Sequence, residues 1–340
     1  MDRRDGPVKW VWRGLLVLLA VLVIAFFLLR VPDTDPAEMR AKYGGEPSQF
    51  TDVGNGREIH LRDEGPRDAP VIVLLHGSNA DLHTWQPWVD ILKEDYRVIR
   101  YDQRGHGLTG PAKDGDYSAA GFARDIDAVT EALGIDTFTL AGNSMGGWIA
   151  MDYAMQKPWR LDALVLVDAA GAPVQREGGG NLAFTLAGMP VVGDLLSQLL
   201  PRSLVEKSFR QSVSNQAIVT DRAVDRYWEL ARYPGNRAAT RQRFSAPRTA
   251  FSAEDVEQVK VPTLVMWGKE DSLIPFEAGE WYAKHLPNAT LVAYDGIGHI
   301  PMEEAPELSA NGLLVWLGEA LLPPDVPMAE PAADEAVLTP

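Results

Sequence analysis

The chain contains no cysteine in 340 residues. That excludes disulfides, thiolate metal sites and a cysteine nucleophile together. It also leaves the compartment open, because a protein without thiols is indifferent to redox potential. Basic charge is short as well: 32 Lys and Arg stand against 47 Asp and Glu, for a formal net charge of −15. Phosphate backbones demand basic surface, so no nucleic-acid partner is expected. The sequence carries no internal repeat. Its 46% hydrophobic content is enough for a packed core, and the length suits one large domain or two small ones.

The amino terminus is apolar. Gly14 to Leu29 is an unbroken apolar run, extended upstream by Trp10, Val11 and Trp12 with Arg13 as the one charged interruption. A spanning helix needs about 17 to 25 such residues. Arg13 can snorkel to headgroups and the tryptophans suit an interface. A transmembrane helix is therefore expected over about residues 10–30. Arg3, Arg4, Lys9 and Arg13 precede the core of the run, which places the N-terminus in the cytoplasm and the remainder outside it (periplasmic, if the source is bacterial). A cleaved signal peptide shares this layout. However, Arg30-Val31-Pro32-Asp33 offers no small-x-small site, so an uncleaved signal anchor is favoured over a cleaved signal and over a buried core helix. Arg3-Arg4 also lacks the apolar residues that follow a twin-arginine signal.

Residues 32–47 are rich in Pro, Gly and charge and read as a linker holding the rest of the chain off the membrane. Short strands are expected at Gln49–Val53 and Arg57–Leu61 around the hairpin signal Asn55-Gly56. Val71–Leu75 is a continuous apolar run, as a strand buried on both faces should be. Arg97–Tyr101, Thr137–Ala141, Leu161–Val167, Val261–Trp267 and Thr290–Tyr294 share that character, and helical patterns such as Gly121–Leu133 and Met145–Gln156 lie between most of them. Alternation of this kind implies an α/β fold with a mainly parallel sheet. One interval breaks it. Residues 171–258 hold helix-like stretches at Leu182–Leu200, Val205–Val213 and Asp221–Ala231 but no obvious parallel strand. A structureless loop of that length is implausible in a compact domain. Gly178-Gly179-Gly180 reads as a flexible entry to the interval, and residues 323–340 as a disordered acidic tail.

Gly142-Asn143-Ser144-Met145-Gly146-Gly147 directly follows the apolar run Thr137–Ala141. It reads as strand, sharp turn, nucleophilic serine, then helix, with Gly142 and Gly146 at positions where a side chain would clash. A serine hydroxyl needs an adjacent base. His299, in Gly296-Ile297-Gly298-His299, is the candidate base, and Asp271, in Gly268-Lys269-Glu270-Asp271, the candidate acid that holds its tautomer. Asp168, at a strand end, is an alternative acid. Asp102 reads as a structural partner of the Arg104 turn.

At these residues the chain resembles the α/β-hydrolase superfamily over roughly residues 48–320, in the motif and in the chain order Ser, Asp, His. The resemblance implies an eight-stranded, mostly parallel sheet flanked by helices. The core would be residues 48–170 and 259–322, with residues 171–258 as a helical cap inserted between strands six and seven, behind an anchor at residues 1–31. It places the catalytic histidine after the last strand, at His299, makes His76 structural, and sets His106 in Arg104-Gly105-His106-Gly107, which resembles the turn after the family's fourth strand. The oxyanion hole needs two backbone N–H groups, implied at Met145 and, in His76-Gly77-Ser78-Asn79, at Ser78; Asn79 is a further candidate for substrate binding. The implied reaction is carboxylic-ester hydrolysis by a Ser-His-Asp triad and an acyl-enzyme, without metal or organic cofactor, on a small-molecule or lipidic ester. Serine at the elbow speaks against relatives that use aspartate there. The elbow also looks like that of meta-cleavage carbon–carbon hydrolases, although those carry a tryptophan soon after the histidine, where this chain has Ile300-Pro301-Met302. Cofactor-free haloperoxidases (perhydrolases) share the triad. A non-catalytic binding module on the same fold is the remote alternative.

From Arg202 to Arg248 there are ten Lys or Arg and four Asp or Glu. One reading is solvated helix faces, with Asp221, Asp225 and Glu229 paired locally to Arg222, Arg226 and Arg232. The other is a surface for anionic lipid or an acidic substrate, centred on Arg237, Arg241 and Arg243.

Overall fold

A computed structural model describes residues 7–54, 56–174, 193, 195 and 197–320. Eight strands form one sheet: β1 (Ser48–Asp52), β2 (Glu58–Glu64), β3 (Val71–Leu75), β4 (Arg97–Tyr101), β5 (Phe138–Asn143), β6 (Leu161–Val167), β7 (Thr263–Gly268) and β8 (Ala289–Tyr294). Their order is β1-β2-β4-β3-β5-β6-β7-β8. Only the pairings of β2, with β1 and with β4, are antiparallel.

The inner strands β3, β5, β6 and β7 are largely apolar on both faces because both are covered. Side chains alternate, so Val73 and Leu75 join one core with Ile99 and Leu140. Ile72 and Leu74 join the other with Val98, Trp88 and Trp316. The first core is closed by α4 (Ala119–Ala132) and α5 (Met145–Gln156), the second by α3 (Gln86–Leu92) and the final helix Pro306–Ala320.

Two strands run two or more residues past their expected ends, each for a physical reason. β2 continues through Arg62, Asp63 and Glu64 because their polar groups find partners there: Arg97 donates to both oxygens of Asp63, Arg100 pairs with Glu64 at 2.7 Å, and Arg62 donates to Ser48 and Gln86. β5 continues to Asn143 because Gly142 and Asn143 stay in register with Leu166 and Val167 of β6. The sheet therefore reaches to the residue before Ser144.

Helix α1 (Pro7–Leu29) contains Trp10–Leu29, a stretch of mean hydropathy 2.6 with none of it buried. It is long and apolar enough to cross a membrane. Beyond this helix the chain is not the free linker that its composition leads one to expect. Asp35 caps a helix, α2 (Pro36–Tyr43), by accepting from the N–H groups of Ala37 and Glu38. Val31 N–H donates to the Gln198 carbonyl at 2.8 Å, and Arg237 donates to the carbonyls of Val31 and Ser197 and to Asp33. Tyr43 and Lys42 both reach Glu229 at 2.6 Å, and Met39 packs with Leu108 and Leu230. The segment is bonded to the body because these partners lie far along the chain, where its own composition gives no hint of them.

Between β6 and β7 lie the helices Arg202–Gln211, Asp221–Ala231 and Asn236–Ser245 and the short Ala253–Val256. Asn55, the glycine run 178–180, most of 182–200 and the tail 323–340 fall outside the described residues. The local ion pairs expected here are replaced by longer-range ones. Arg202 takes Asp221 and Asp225, and Arg226 takes Glu303 at 2.8 Å and Asp81 at 3.4 Å. Nor do the three arginines form a common anionic-lipid surface, since Arg243 is fully buried and Arg237 is bonded to Asp33 and two carbonyls.

Candidate active site

Ser144 sits between the end of β5 and the start of α5 at φ 54°, ψ −115°. A non-glycine residue adopts that region only under strong constraint. The constraint is visible: Ser144 N–H donates to the Val167 carbonyl, and its own carbonyl accepts from Ala170 and Trp148. The turn closes so tightly that a Cβ on Gly142 would collide with the Gly146 carbonyl, and one on Gly146 with the Leu75 carbonyl. Both glycines are thus required by space, as the motif implied.

His299 and Asp271 come together from the loops after β8 and β7. His299 Nδ1 lies 2.6 Å from Asp271 Oδ2. Asp271 Oδ1 accepts from Leu273 and Ile274 N–H at 2.7 and 3.0 Å. The carboxylate is thereby fixed, and Nδ1–H donates to it, so Nε2 carries the free lone pair. The His299 loop is pinned in turn. Its carbonyl accepts from Asn143 Nδ2 at 3.0 Å, its N–H donates to the Ser212 carbonyl, and Gly298 N–H donates to Glu304. Asn143 thus ties the residue before Ser144 to the residue that bears the imidazole. Among the described residues Ser144 Oγ makes no hydrogen bond, to His299 or to any other group.

The loop after β3 passes beside Ser144. A Cβ on Gly77 would stand 3.3 Å from Ser144 Cβ. No hydrogen bond among the described residues uses Ser78 N–H or Met145 N–H, and Met145, first in its helix, has no intrahelical acceptor. Ser78 Oγ is engaged, however: Arg243 Nη1 donates to it at 3.0 Å, and Arg243 Nη2 donates to Asn79 Oδ1 at 3.1 Å. Arg243, buried and far along the chain, is a site neighbour that sequence reasoning missed. Glu304 is another, since it accepts from Ser214, Asn215 and Gly298 and so fastens the histidine loop to the helices above.

The remaining histidines are engaged elsewhere. His76 bonds the Gly77 carbonyl and accepts from Gln103 N–H, and burial lowers its pKa. Burial, with Arg243 alongside, drives His106 well below the usual imidazole range. A second Ser-His-Asp chain exists: Ser48 Oγ lies 2.9 Å from His60 Nε2, and His60 Nδ1 lies 2.6 Å from Asp102. Hydrogen-bond geometry alone would favour it. Its surroundings do not. Ser48 Oγ also takes Arg62, Ser48 N–H is bonded to the Gly45 carbonyl, and His60 and Asp102 are fully buried. Asp102 also accepts Leu82 and Leu108 N–H. It holds the turn through Leu108, whereas Arg104 pairs with Asp125. This second chain is a structural brace.

Asp168 stands behind the acid. Donor atoms of Asp168, Asp271 and His299 lie within 4.8 Å of one another. Three of the carboxylate oxygens are already bonded, to the imidazole, to Leu273 and Ile274, and to Gly268 N–H, leaving Asp168 Oδ2 unpartnered. That is a hydrogen-bonded acid–base group, poorly suited to hold a cation. Burial, and next the Asp271 charge, raise the Asp168 carboxyl well above its ordinary range.

Known proteins agree with this frame. Residues 70–306 match the family model of the alpha/beta hydrolase fold. The bifunctional esterase/perhydrolase DCH of Acinetobacter calcoaceticus is 29% identical, over 77% of this chain and 97% of that protein. A 2-hydroxy-6-oxononadienedioate/2-hydroxy-6-oxononatrienedioate hydrolase of Comamonas testosteroni is 27% identical, over 71% of this chain and 84% of that one. Among solved structures, a membrane phospholipase A described as a bacterial virulence factor superposes with TM-score 0.70 at 25% identity, covering 92% of this chain and 99% of that one. With the family model spanning most of its length and hydrolases among its relatives, this chain belongs to the α/β-hydrolase family and is an enzyme of that fold.

Proposed function

We propose that Ser144, His299 and Asp271 form a Ser-His-Asp triad that hydrolyses carboxylic esters through an acyl-enzyme. Ser144 Oγ attacks the ester carbonyl while His299 Nε2 takes its proton. The N–H groups of Met145 and Ser78 hold the oxyanion. The tetrahedral adduct collapses, the C–O bond breaks, and His299 gives its proton to the leaving alcohol. Water then attacks the acyl-serine, its proton passing to His299 and back to Ser144 Oγ. Asp271 keeps the imidazole oriented and stabilises its cation. Asn79, whose Oδ1 is engaged, would offer its amide NH2 to the substrate. The observation that carries this reading is a strained serine at the elbow, tied through Asn143 to a histidine paired with a carboxylate.

Residues 171–258 would form the cap that shapes the acyl pocket. Helix α1 would anchor the chain with the catalytic domain on the extracytoplasmic side, and the likeness to a membrane phospholipase A favours lipidic esters over small soluble ones. A second reading is favoured by the esterase/perhydrolase relative: the same acyl-enzyme would be captured by hydrogen peroxide in place of water.

The test is hydrolysis of p-nitrophenyl esters from C2 to C16 by the full chain in detergent, beside Ser144→Ala. Turnover lost by about 10³-fold or more in the variant supports the reading, and the chain-length optimum sizes the pocket. Turnover undiminished in Ser144→Ala overturns it.

A further inference from the structure

Arg243 belongs to the helix Asn236–Ser245, yet its guanidinium is fully buried against the loop after β3 and the start of α5. Its Nη1 donates to Ser78 Oγ at 3.0 Å, to His106 Nε2, and lies 3.6 Å from Met145 Sδ. Its Nη2 donates to Asn79 Oδ1 at 3.1 Å and to Thr240 Oγ1 at 2.8 Å. Nε has no partner. One nitrogen thus touches the side chains of both residues whose backbone N–H groups are free. No carboxylate among the described residues pairs with this cation. The titratable groups around it are His106 and, behind it, His76, both with pKa values lowered by burial, Tyr117, and a second cation, Arg248, whose Nη2 lies 3.8 Å from the same Met145 Sδ. Burial, and next the Arg248 charge, lower the Arg243 pKa to about 9, which still leaves it charged at neutral pH.

A buried cation without a counter-ion is destabilising, and an apolar side chain of similar volume would fill the space at lower free energy. Such a charge is tolerated where something negative is to appear beside it. We propose that Arg243 is a positioning residue for the oxyanion hole: it holds Ser78 and Met145 in place, and its uncompensated charge favours the oxyanion that forms against them. The charge sits behind the two donors, in a water-poor site, and acts only when the carbonyl oxygen becomes negative. It acts through Ser78 and Met145, without touching the substrate. The inference rests on the triad reading of Ser144, His299 and Asp271.

The test compares the full chain with Arg243→Met, which keeps volume without charge, and Arg243→Lys, which keeps charge without the fork. Hydrolysis of a p-nitrophenyl ester and inhibition by an aryl boronic acid, which forms a tetrahedral anion on the serine, are measured on each. Expected for Arg243→Met is a fall in kcat of about 10²-fold with KM within about two-fold, a parallel weakening of boronate inhibition, and partial recovery in Arg243→Lys. A folded Arg243→Met with kcat within about two-fold of the parent value overturns the proposal. Should Arg243→Met fail to fold, Ser78→Ala carries the test: a fall in kcat of about five-fold or more at constant KM supports the proposal, and an unchanged kcat overturns it. A parent chain that neither turns over the ester nor is labelled at Ser144 by a fluorophosphonate overturns the triad reading and this inference with it. A labelled, active parent with unaltered variants overturns this inference alone.

Discussion

Asp168 and Asp271 converge on one imidazole from the ends of neighbouring strands, each with a donor atom within 4.8 Å of the other and of His299. Only Asp271 is hydrogen-bonded to the ring. Asp168 is fully buried, and burial, then the Asp271 charge, hold its carboxyl well above the ordinary range.

That asymmetry separates two variants. Asp271→Asn should lower kcat by about 10³- to 10⁴-fold through loss of the oriented tautomer. Asp168→Asn should leave kcat within about ten-fold, because Asn keeps an acceptor for Gly268 N–H. Its effect lies in stability. A carboxyl raised in the fold stabilises fully below its unfolded value, 3.8, and that contribution is lost as pH rises through the folded value. The melting temperature of Asp168→Asn should therefore gain on the parent from pH 4 to pH 8, by on the order of a few degrees. A difference that is flat with pH would contradict a protonated Asp168.

The elbow glycines give a packing prediction. Gly146→Ala should cost about 3 kcal/mol or more, because its Cβ enters the Leu75 carbonyl and stands 2.8 Å from that of His76. Gly45→Ala, whose Cβ meets nothing within 4 Å, should stay within about 0.5 kcal/mol of the parent. Chemical denaturation of both variants checks the contrast.

Arg226 predicts the opposite pH sign from Asp168. Its side chain, 16% exposed, lies between Asp81 and Glu303. Burial alone would raise the Asp81 carboxyl, but Arg226 and then His83 outweigh it and hold it below the usual range. Stability from Asp81 is thus present above pH 3.8 and lost as pH falls through its lowered folded value. Arg226→Ala strands the buried Asp81 and the part-buried Glu303 and should cost about 3 kcal/mol at pH 7. The deficit should shrink as pH falls toward 4, where an Asp81 released from Arg226 takes up a proton. Urea titrations at the two pH values measure it.

Where the chain is cut should matter sharply. Removal of residues 1–30 takes away a helix whose apolar stretch is not buried, and should leave the melting temperature within about 2 °C. Removal of residues 1–44 also strips Met39 from Leu108 and Leu230, and Tyr43 and Lys42 from Glu229. Burial of one such side chain is worth about 1.5–3 kcal/mol, so a loss of several degrees is expected by calorimetry.

The parts of the molecule that were legible in the sequence are those whose cause is local. A strand buried on both faces writes itself as a run such as Val71–Leu75, and a strained turn demands Gly142 and Gly146 within two residues of Ser144. His299 and Asp271 could be read because each follows a strand by a few residues. Arg243 could not, since Arg241-Gln242-Arg243 looks like a solvated basic face and its partners Ser78 and Asn79 lie 165 and 164 residues away. The helix Pro36–Tyr43 was hidden for the same reason: Pro, Gly and charge suggest a linker unless Glu229 and Arg237 are known to wait for it.

That docked segment removes slack. A flexible tether of the length of residues 32–47 would let a catalytic body drift about 20–24 Å from its anchor point. Here Val31 already holds Gln198 and Arg237, within two residues of the last turn of α1. From Val31 onward the chain is therefore held against the helices between β6 and β7, and the free span after α1 shrinks to Arg30. The orientation of the serine toward any surface is then decided at Val31, and a chain with a few glycines inserted there would keep its chemistry while losing its aim.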